Sequence, residues 1–129
     1  MTPRLTIFLA GIFGFLGVAF GAFGAHGLKG RVSADMLANW NTAAHYQMIH
    51  ALALLAAGIF QLLQSGRRLL SAAAVLFITG ILIFSGSLYV LVLTNVRWLG
   101  AITPIGGTAL LAGWIALAIA GLALKPSRT

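Results

Sequence analysis

The stretch LLSAAAVLFITGILIFSGSLYVLVLT, residues 69–94, decides the fold of this chain. It contains no charged residue and no proline, and it lies between Arg68 and Arg97. A helix needs about 20 apolar residues to cross a hydrocarbon core that is ~30 Å thick, and this stretch is longer than that. It therefore predicts a transmembrane helix.

Three further apolar stretches predict that the chain forms a bundle of four such helices. The predicted spans are residues 5–25, 40–63, 69–94 and 104–124. No glycine or proline interrupts residues 32–57, so the second helix is expected to begin near Ala34, with Ser33 as its N-cap and an interfacial extension over 33–39. The predicted fold class is all-α, a single polytopic membrane domain over residues 1–129.

The composition excludes a soluble domain and narrows the chemistry. The chain is 60% hydrophobic and 7% charged, with a mean hydropathy of +1.04, whereas soluble domains carry about 25% charged residues. The absence of cysteine excludes disulfides and thiolate metal sites. Asp35 is the single acid, so few acid–base arrangements remain, and neither an enzyme nor a cofactor is expected.

The basic residues lie at the edges of the apolar stretches, which is typical of topology signals and not of a nucleic-acid-binding face. With four spans, both termini share one side with the second loop. That side holds Arg4, Arg67, Arg68, Lys125 and Arg128, and the other holds Lys29, Arg31 and Arg97. The excess predicts a protein of the bacterial cytoplasmic membrane with cytoplasmic termini. Trp40 and Trp98 would then belong to an aromatic belt at the outer surface.

Polar side chains within the spans are concentrated in the outer half of the predicted bundle. Counted from Trp40, His50 lies ~15 Å deep, close to the midplane. A charged side chain there costs at least ~2.5–3.5 kcal/mol and no span contains an acid, so His50 is expected to be neutral, with two hydrogen-bond partners. The expected partners are Tyr46, Gln47, Ser85, Ser87 or Tyr89. The candidate binding residues are His26, His45, Tyr46, Gln47, His50, Ser85, Ser87, Tyr89, Thr103, Gly106 and Gly107.

Helical spacing separates the two histidines of the second span. Tyr46 and Gln47 precede His50 by four and three residues and share its face, whereas His45 lies about 140° around the helix and points elsewhere. A metal held by both His45 and His50 is therefore not expected, although His26 with either of them stays open.

Four interpretations of the polar residues stay open. They are mutual hydrogen bonding that fixes helix register, a pocket for a small ligand or lipid headgroup, ligation of a metal or haem in a redox protein, and a small transporter or channel subunit. The leading expectation is non-enzymatic binding of a small molecule, a lipid or a partner helix.

The start of the fourth span has two interpretations. Thr103 can act as an N-cap with Pro104 in the first helical position. A start at Leu99 would instead place Pro104 inside the helix and kink it. Gly106 and Gly107 then either pack against a neighbouring helix or leave the helix N-terminus open to an anion.

Small residues at four-residue spacing predict close helix–helix contacts in lipid. They are Gly17, Gly21 and Ala25 in the first span, and Ala109, Ala112, Gly113, Ala116 and Ala120 in the fourth. Their number predicts a homo-oligomer. Trp114 lies in the middle of the fourth span, where it is expected to be core, with its indole N–H bonded inside the bundle.

Four motifs follow one another along the chain. They are GAFGAHGL at 21–28, YQ at 46–47 with HAL at 50–52, FSGSLY at 84–89, and ITPIGG at 102–107 followed by GW at 113–114. In these motifs the chain resembles, over nearly its whole length, the YgdD/YwdK-type family of small bacterial inner-membrane proteins of unknown function, which also has a small eukaryotic transmembrane relative. The resemblance implies a four-span membrane protein and no particular activity.

Overall fold

All regular structure in the described residues, 1–64 and 68–125 of this computed structural model, is helical. The long helices are α1 (Pro3–Phe23), α2 (Ala34–Leu63), α3 (Arg68–Thr94) and α4 (Thr103–Leu122). A π-helix, Gly24–Leu28, continues α1, and a 3₁₀-helix, Arg97–Ala101, precedes α4. Four helices are long and apolar enough to cross a membrane, which confirms the predicted fold class. Arg67 and Arg128, two of the topology signals, lie outside the described residues.

Side chains cap the starts of α1 and α2. The Ser33 hydroxyl accepts the backbone N–H of Met36 at 3.2 Å, as the sequence predicted. The Thr2 hydroxyl accepts the backbone N–H of Leu5 at 3.3 Å, so α1 begins two residues earlier than the predicted span. Each cap satisfies a backbone donor that has no partner within its helix.

The start of α4 differs from both sequence interpretations. The residue before Thr103, Ile102, already has right-handed helical dihedrals, and it accepts the N–H of Ile105 at 3.0 Å. The prediction that Thr103 is an N-cap is therefore wrong, because the 3₁₀-helix Arg97–Ala101 runs almost directly into α4. Fewer donors are open at this helix start than the sequence suggested, since Pro104 has no N–H and that of Ile105 is already bonded.

Consecutive helices pack against one another, α1 on α2, α2 on α3 and α3 on α4, so α2 and α3 are central. The neighbours are antiparallel. Trp40 of α2 bonds to Phe20 of α1, whereas Gln47, further along α2, bonds to Phe13, which comes earlier in α1. Because α2 and α4 both pack against α3 and are both antiparallel to it, they run parallel to each other.

Much of the predicted small-residue pattern is used for packing within the chain. A methyl group at Gly106 would overlap the backbone of Phe84, so this glycine lets α3 and α4 approach closely. Gly17 contacts Met48 of α2, whereas Gly21 has open space around it. The homo-oligomer therefore stays a prediction, supported by fewer residues than the sequence suggested.

Large apolar side chains are exposed on all four helices, as a lipid-facing surface requires. Examples are Phe15 at 71%, Leu52 at 64%, Leu82 at 60% and Leu111 at 67% exposure. In water such a continuous apolar surface would promote association.

The two membrane surfaces are named below by what they carry. The Trp98 side carries the loop 29–33 and the 3₁₀-helix, and the terminal side carries Met1 and Lys125.

Candidate functional site

A groove of about 550 Å³ lies between α2 and α4, with α3 as its floor. This volume lies in the range of ordinary small-molecule sites, about 300–1,000 Å³. None of its lining residues carries a formal charge. They are His45, Tyr46, Ile49 and His50 from α2, Phe84 from α3, and Pro104, Gly107, Thr108, Leu110, Leu111 and Trp114 from α4.

His50 is hydrogen-bonded through both ring nitrogens. Its Nδ1 lies 2.6 Å from the carbonyl oxygen of Tyr46, and because a carbonyl only accepts, Nδ1 must carry the hydrogen. The indole N–H of Trp114 donates to Nε2 at 3.0 Å. A neutral imidazole in this single tautomer satisfies every partner. The bond to Trp114 joins α2 to α4 across the groove.

These two hydrogen bonds leave His50 no free lone pair for a metal. Ligation through Nε2 would require the bond to Trp114 to break, and ligation through Nδ1 would require the loss of its hydrogen. Within residues 1–64 and 68–125, no group of three histidine or acidic side chains could hold a metal ion. The described geometry at His50 is that of a hydrogen-bonded residue.

The serines predicted as partners of His50 bond elsewhere. The Ser85 hydroxyl donates to the carbonyl oxygen of Ala43 at 2.7 Å and joins α3 to α2. The Ser87 hydroxyl lies 2.6 Å from that of Thr103 and joins α3 to α4. The expectation that Ser85 or Ser87 would bond to His50 is wrong, because these side chains share its membrane depth but face different helix contacts.

Gln47 connects three helices through its amide. Its Nε2 donates to the carbonyl oxygen of Phe13 in α1 at 2.9 Å, and its Oε1 accepts the hydroxyl of Tyr89 in α3 at 2.7 Å. The side chain is 3% exposed, so both bonds are shielded. Neither Gln47 nor Tyr89 bonds to His50, contrary to the prediction. Gln47 is a structural connection and does not line the groove.

Trp40 is part of the helix-packing core and not of a lipid-facing belt. It is 3% exposed, and its indole N–H donates to the carbonyl oxygen of Phe20 at 2.7 Å. Its ring packs on Tyr89 with centroids 4.6 Å apart. The prediction that Trp40 belongs to an aromatic belt is therefore wrong, because its side chain faces α1 and not lipid. Trp98, at 65% exposure, lies on the 3₁₀-helix.

His45 and Tyr46 present polar groups to the groove that no other described residue satisfies. Both side chains are exposed and line the groove, and neither makes a hydrogen bond within the described part of the chain. The Tyr46 ring is held in place by Phe84, at a centroid distance of 4.6 Å, and stacks on His50 at 6.0 Å. His45 and His50 both border this one groove, although the ring contact of His45 is with Tyr46, at a centroid distance of 6.2 Å.

The other predicted site residues fall into two groups. Gly107 lines the groove, and a Cβ there would meet only the Phe84 ring at ordinary contact distance. Gly106 is buried against α3, and His26 is exposed on the π-helix, outside the groove lining. The structure therefore brings together four of the predicted residues, His45, Tyr46, His50 and Gly107.

Apart from Gly107, sequence reasoning missed the α4 wall of the groove, above all Trp114. This residue was expected to be core, but it is 43% exposed and borders the groove, although the prediction of a bundle partner for its indole is confirmed. The sequence did contain a signal that Trp114 could pair with His50. Trp114 lies eleven residues after Thr103 and His50 lies ten after Trp40, so a donor and an acceptor occupy similar depths.

Comparison with known proteins identifies relatives over nearly the whole chain. A family model described as "Protein of unknown function (DUF423)" matches residues 20–107. The UPF0382 membrane protein SAB0533 of Staphylococcus aureus (strain bovine RF122 / ET3-1) is 47% identical over 119 residues, which cover 91% of this chain and 94% of that protein. The UPF0382 membrane protein YwdK of Bacillus subtilis (strain 168) is 41% identical over 119 residues, which cover 92% and 97%. No solved structure matches the chain significantly.

Proposed function

The chain belongs to the DUF423 family of proteins of unknown function, and we propose that it binds one lipophilic molecule, without converting it, in the groove between α2 and α4. Its relatives are named membrane proteins, with no activity in the name, so the proposal rests on the groove itself.

The observation that carries the proposal is the pair of unsatisfied polar groups in an otherwise apolar groove. A polar group without a partner is costly in hydrocarbon, where water cannot replace the missing bond. A lipophilic molecule that carries a hydrogen-bonding oxygen would satisfy His45 and Tyr46. Its apolar part would cover Ile49, Leu111 and the ring of Trp114.

Binding fits the groove better than catalysis. No acid lines the groove, because Asp35 lies in the first turn of α2, well before the lining residues begin at His45. Both nitrogens of His50 are bonded, so this ring has no free base with which to activate a nucleophile. The same bonds disfavour the ligation of a metal or haem by His50.

The test compares wild type with a variant in which the groove is filled. Gly107→Leu adds a side chain beside Phe84 without overlap at Cβ, and Gly21→Leu makes the same change where nothing lies within 4 Å of the added Cβ. The full-length proteins are purified from native membranes in a mild detergent and extracted with organic solvent, and the extracts are quantified by mass spectrometry.

We expect wild type and Gly21→Leu to retain a lipophilic molecule in stoichiometric amount, and Gly107→Leu to lose it. Circular dichroism establishes that all three proteins are folded. Identical extracts from all three proteins would overturn the proposal.

We further propose that the termini are cytoplasmic and that the Trp98 side faces outward. Arg4, Arg68 and Lys125 on the terminal side, with Arg67 and Arg128 from the sequence, outnumber Lys29, Arg31 and Arg97. A C-terminal fluorescent-protein fusion should be bright and a C-terminal alkaline phosphatase fusion inactive. The reverse pattern would invert the assignment.

We propose self-association through the free glycine face of α1. Gly11 and Gly14 have no atom within 4 Å of an added Cβ, and small residues allow helices in lipid to approach closely. Crosslinking in native membranes should trap a homo-oligomer, and monomer alone would argue against it.

A further inference from the structure

The length of the groove matches one leaflet of a bilayer. Its α4 wall runs from Pro104, next to the start of the helix, to Trp114, ten residues and ~15 Å further along. The hydrocarbon core is ~30 Å thick, and α4 with its 20 residues is just long enough to cross it. The groove therefore extends from the Trp98 side to about the midplane.

The polarity of the groove changes along this length. His45, Tyr46 and Thr108 lie in the half nearer the Trp98 side, and the Thr108 hydroxyl already donates to the carbonyl oxygen of Pro104 at 2.9 Å. At the midplane end, Leu111 and Trp114 are apolar. His50 there is saturated by its two bonds. The free hydrogen-bond donors are thus confined to the half near the membrane surface.

The charges on the Trp98 side favour oxygen-bearing and anionic groups over cationic ones. Lys29, Arg31 and Arg97 lie on this side, against the single acid Asp35. The free groups themselves are a phenol and an imidazole, both of which can donate to an acceptor oxygen. A carboxylate or phosphate oxygen is a stronger acceptor than a neutral one. A quaternary ammonium would find no carboxylate among the groove residues.

From length, polarity and charge together, we propose that the groove takes the single acyl chain of an amphiphile whose carboxylate or phosphate headgroup is bound by Tyr46 and His45. The first part of the chain lies along Ile49 and Leu111 and reaches Trp114, and its methyl end extends beyond Trp114. This inference rests on the proposed function of the groove and adds the class and direction of the ligand. A free fatty acid and a lysophospholipid share this chemistry.

The test uses the full-length protein labelled with 5-fluorotryptophan in phosphatidylcholine nanodiscs. Fluorine spectra assign the three tryptophans through Trp98→Phe and Trp114→Phe. Oleate and lysophosphatidylglycerol are titrated separately, so that the two sources of the chain are distinguished. Dodecyltrimethylammonium, which has a chain but a cationic head, is the matched control probe.

We expect oleate, lysophosphatidylglycerol or both to shift the Trp114 resonance saturably, and the cationic probe to bind at least tenfold more weakly. Tyr46→Phe should weaken binding at least about 10-fold, the loss of one hydrogen bond to a charged group. His45→Phe should have a similar effect. Gly107→Leu should abolish the shift, and Gly21→Leu should leave it unchanged.

Failure of the inference and failure of the proposed function give different results. If the cationic probe binds as tightly as oleate, or if Tyr46→Phe and His45→Phe bind like wild type, the headgroup assignment is overturned while the groove remains a binding site. The headgroup assignment is also overturned if neither anionic probe shifts the Trp114 resonance. The groove remains a binding site in that case if Gly107→Leu still loses the molecule that co-purifies with wild type. If Gly107→Leu binds the probes like wild type and its extract is unchanged, both are overturned.

Discussion

Gln47 and His50 lie one helical turn apart on α2, and both are buried, at 3% and 4% exposure. Each makes two side-chain hydrogen bonds, but both bonds of Gln47 lead to other helices, whereas one bond of His50 stays within α2 and one leads to α4. The partners of Gln47 are the carbonyl of Phe13 and the hydroxyl of Tyr89, and both of these residues are half-buried between helices. The side-chain partner of His50 is Trp114, which is 43% exposed at the edge of the groove. Two polar residues that are equally buried can therefore have different roles, and the exposure of the hydrogen-bond partner distinguishes them.

The difference has an energetic consequence. If Gln47 is lost, the Tyr89 hydroxyl stays enclosed between helices without an acceptor. If His50 is lost, the indole N–H of Trp114 still borders a groove in which a ligand can accept it. An unpaired buried group costs about 1–3 kcal/mol, and one that can turn to another partner costs less.

The largest effect is expected for Gln47→Leu. The variant removes the bond to Phe13 and leaves the Tyr89 hydroxyl unpaired in the core, so the free energy of unfolding should fall by about 1–3 kcal/mol. Denaturation of the protein in mixed micelles, followed by circular dichroism, measures this change. Stability within about 0.5 kcal/mol of wild type would contradict the structural role of Gln47.

A smaller effect is expected for His50→Leu. Side-chain hydrogen bonds between membrane helices average about 0.6 kcal/mol, and Trp114 remains able to find another acceptor. His50→Gln keeps an acceptor for the indole and should stay closer to wild type. A double-mutant cycle with Trp114→Phe should give a coupling energy of about 0.6 kcal/mol. A loss in His50→Leu equal to that in Gln47→Leu would remove the distinction between the two residues.

The four membrane-spanning helices and the cap at Ser33 were readable from the sequence, because hydropathy and capping chemistry are local properties. The rotation of each helix about its axis is not local. It depends on packing between helices, and this is why Ser85, at the same depth as His50, bonds to Ala43 instead. The same cause misplaced Trp40, whose depth says nothing about whether it faces lipid or α1.

A repeated dipeptide shows the limit of local patterns. Thr2-Pro3 and Thr103-Pro104 both suggest an N-cap followed by proline. Thr2 has extended dihedrals, φ −78° and ψ 149°, and caps α1. Thr103 follows a helical residue and instead lies 2.6 Å from the Ser87 hydroxyl. The outcome depends on the preceding residues, since a 3₁₀-helix leads into α4 and none leads into α1.

The smallest effect is expected for Tyr46→Phe, and Tyr89→Phe, which removes the same atom, is its comparison. Tyr89→Phe leaves the buried Oε1 of Gln47 without its donor, so stability should fall by about 1 kcal/mol. Tyr46→Phe removes a hydroxyl that makes no hydrogen bond with the described residues, so stability should stay within about 0.5 kcal/mol of wild type. Both changes remove one oxygen and keep the ring, so packing on Phe20 by Tyr89 and on Phe84 by Tyr46 is retained. Unfolding of the two variants is measured under one set of conditions, in protein from which bound lipophilic molecules have been extracted. If Tyr46→Phe then loses as much stability as Tyr89→Phe, its hydroxyl has a partner in the ligand-free protein. The groove would in that case lose the free donor on which its binding function depends.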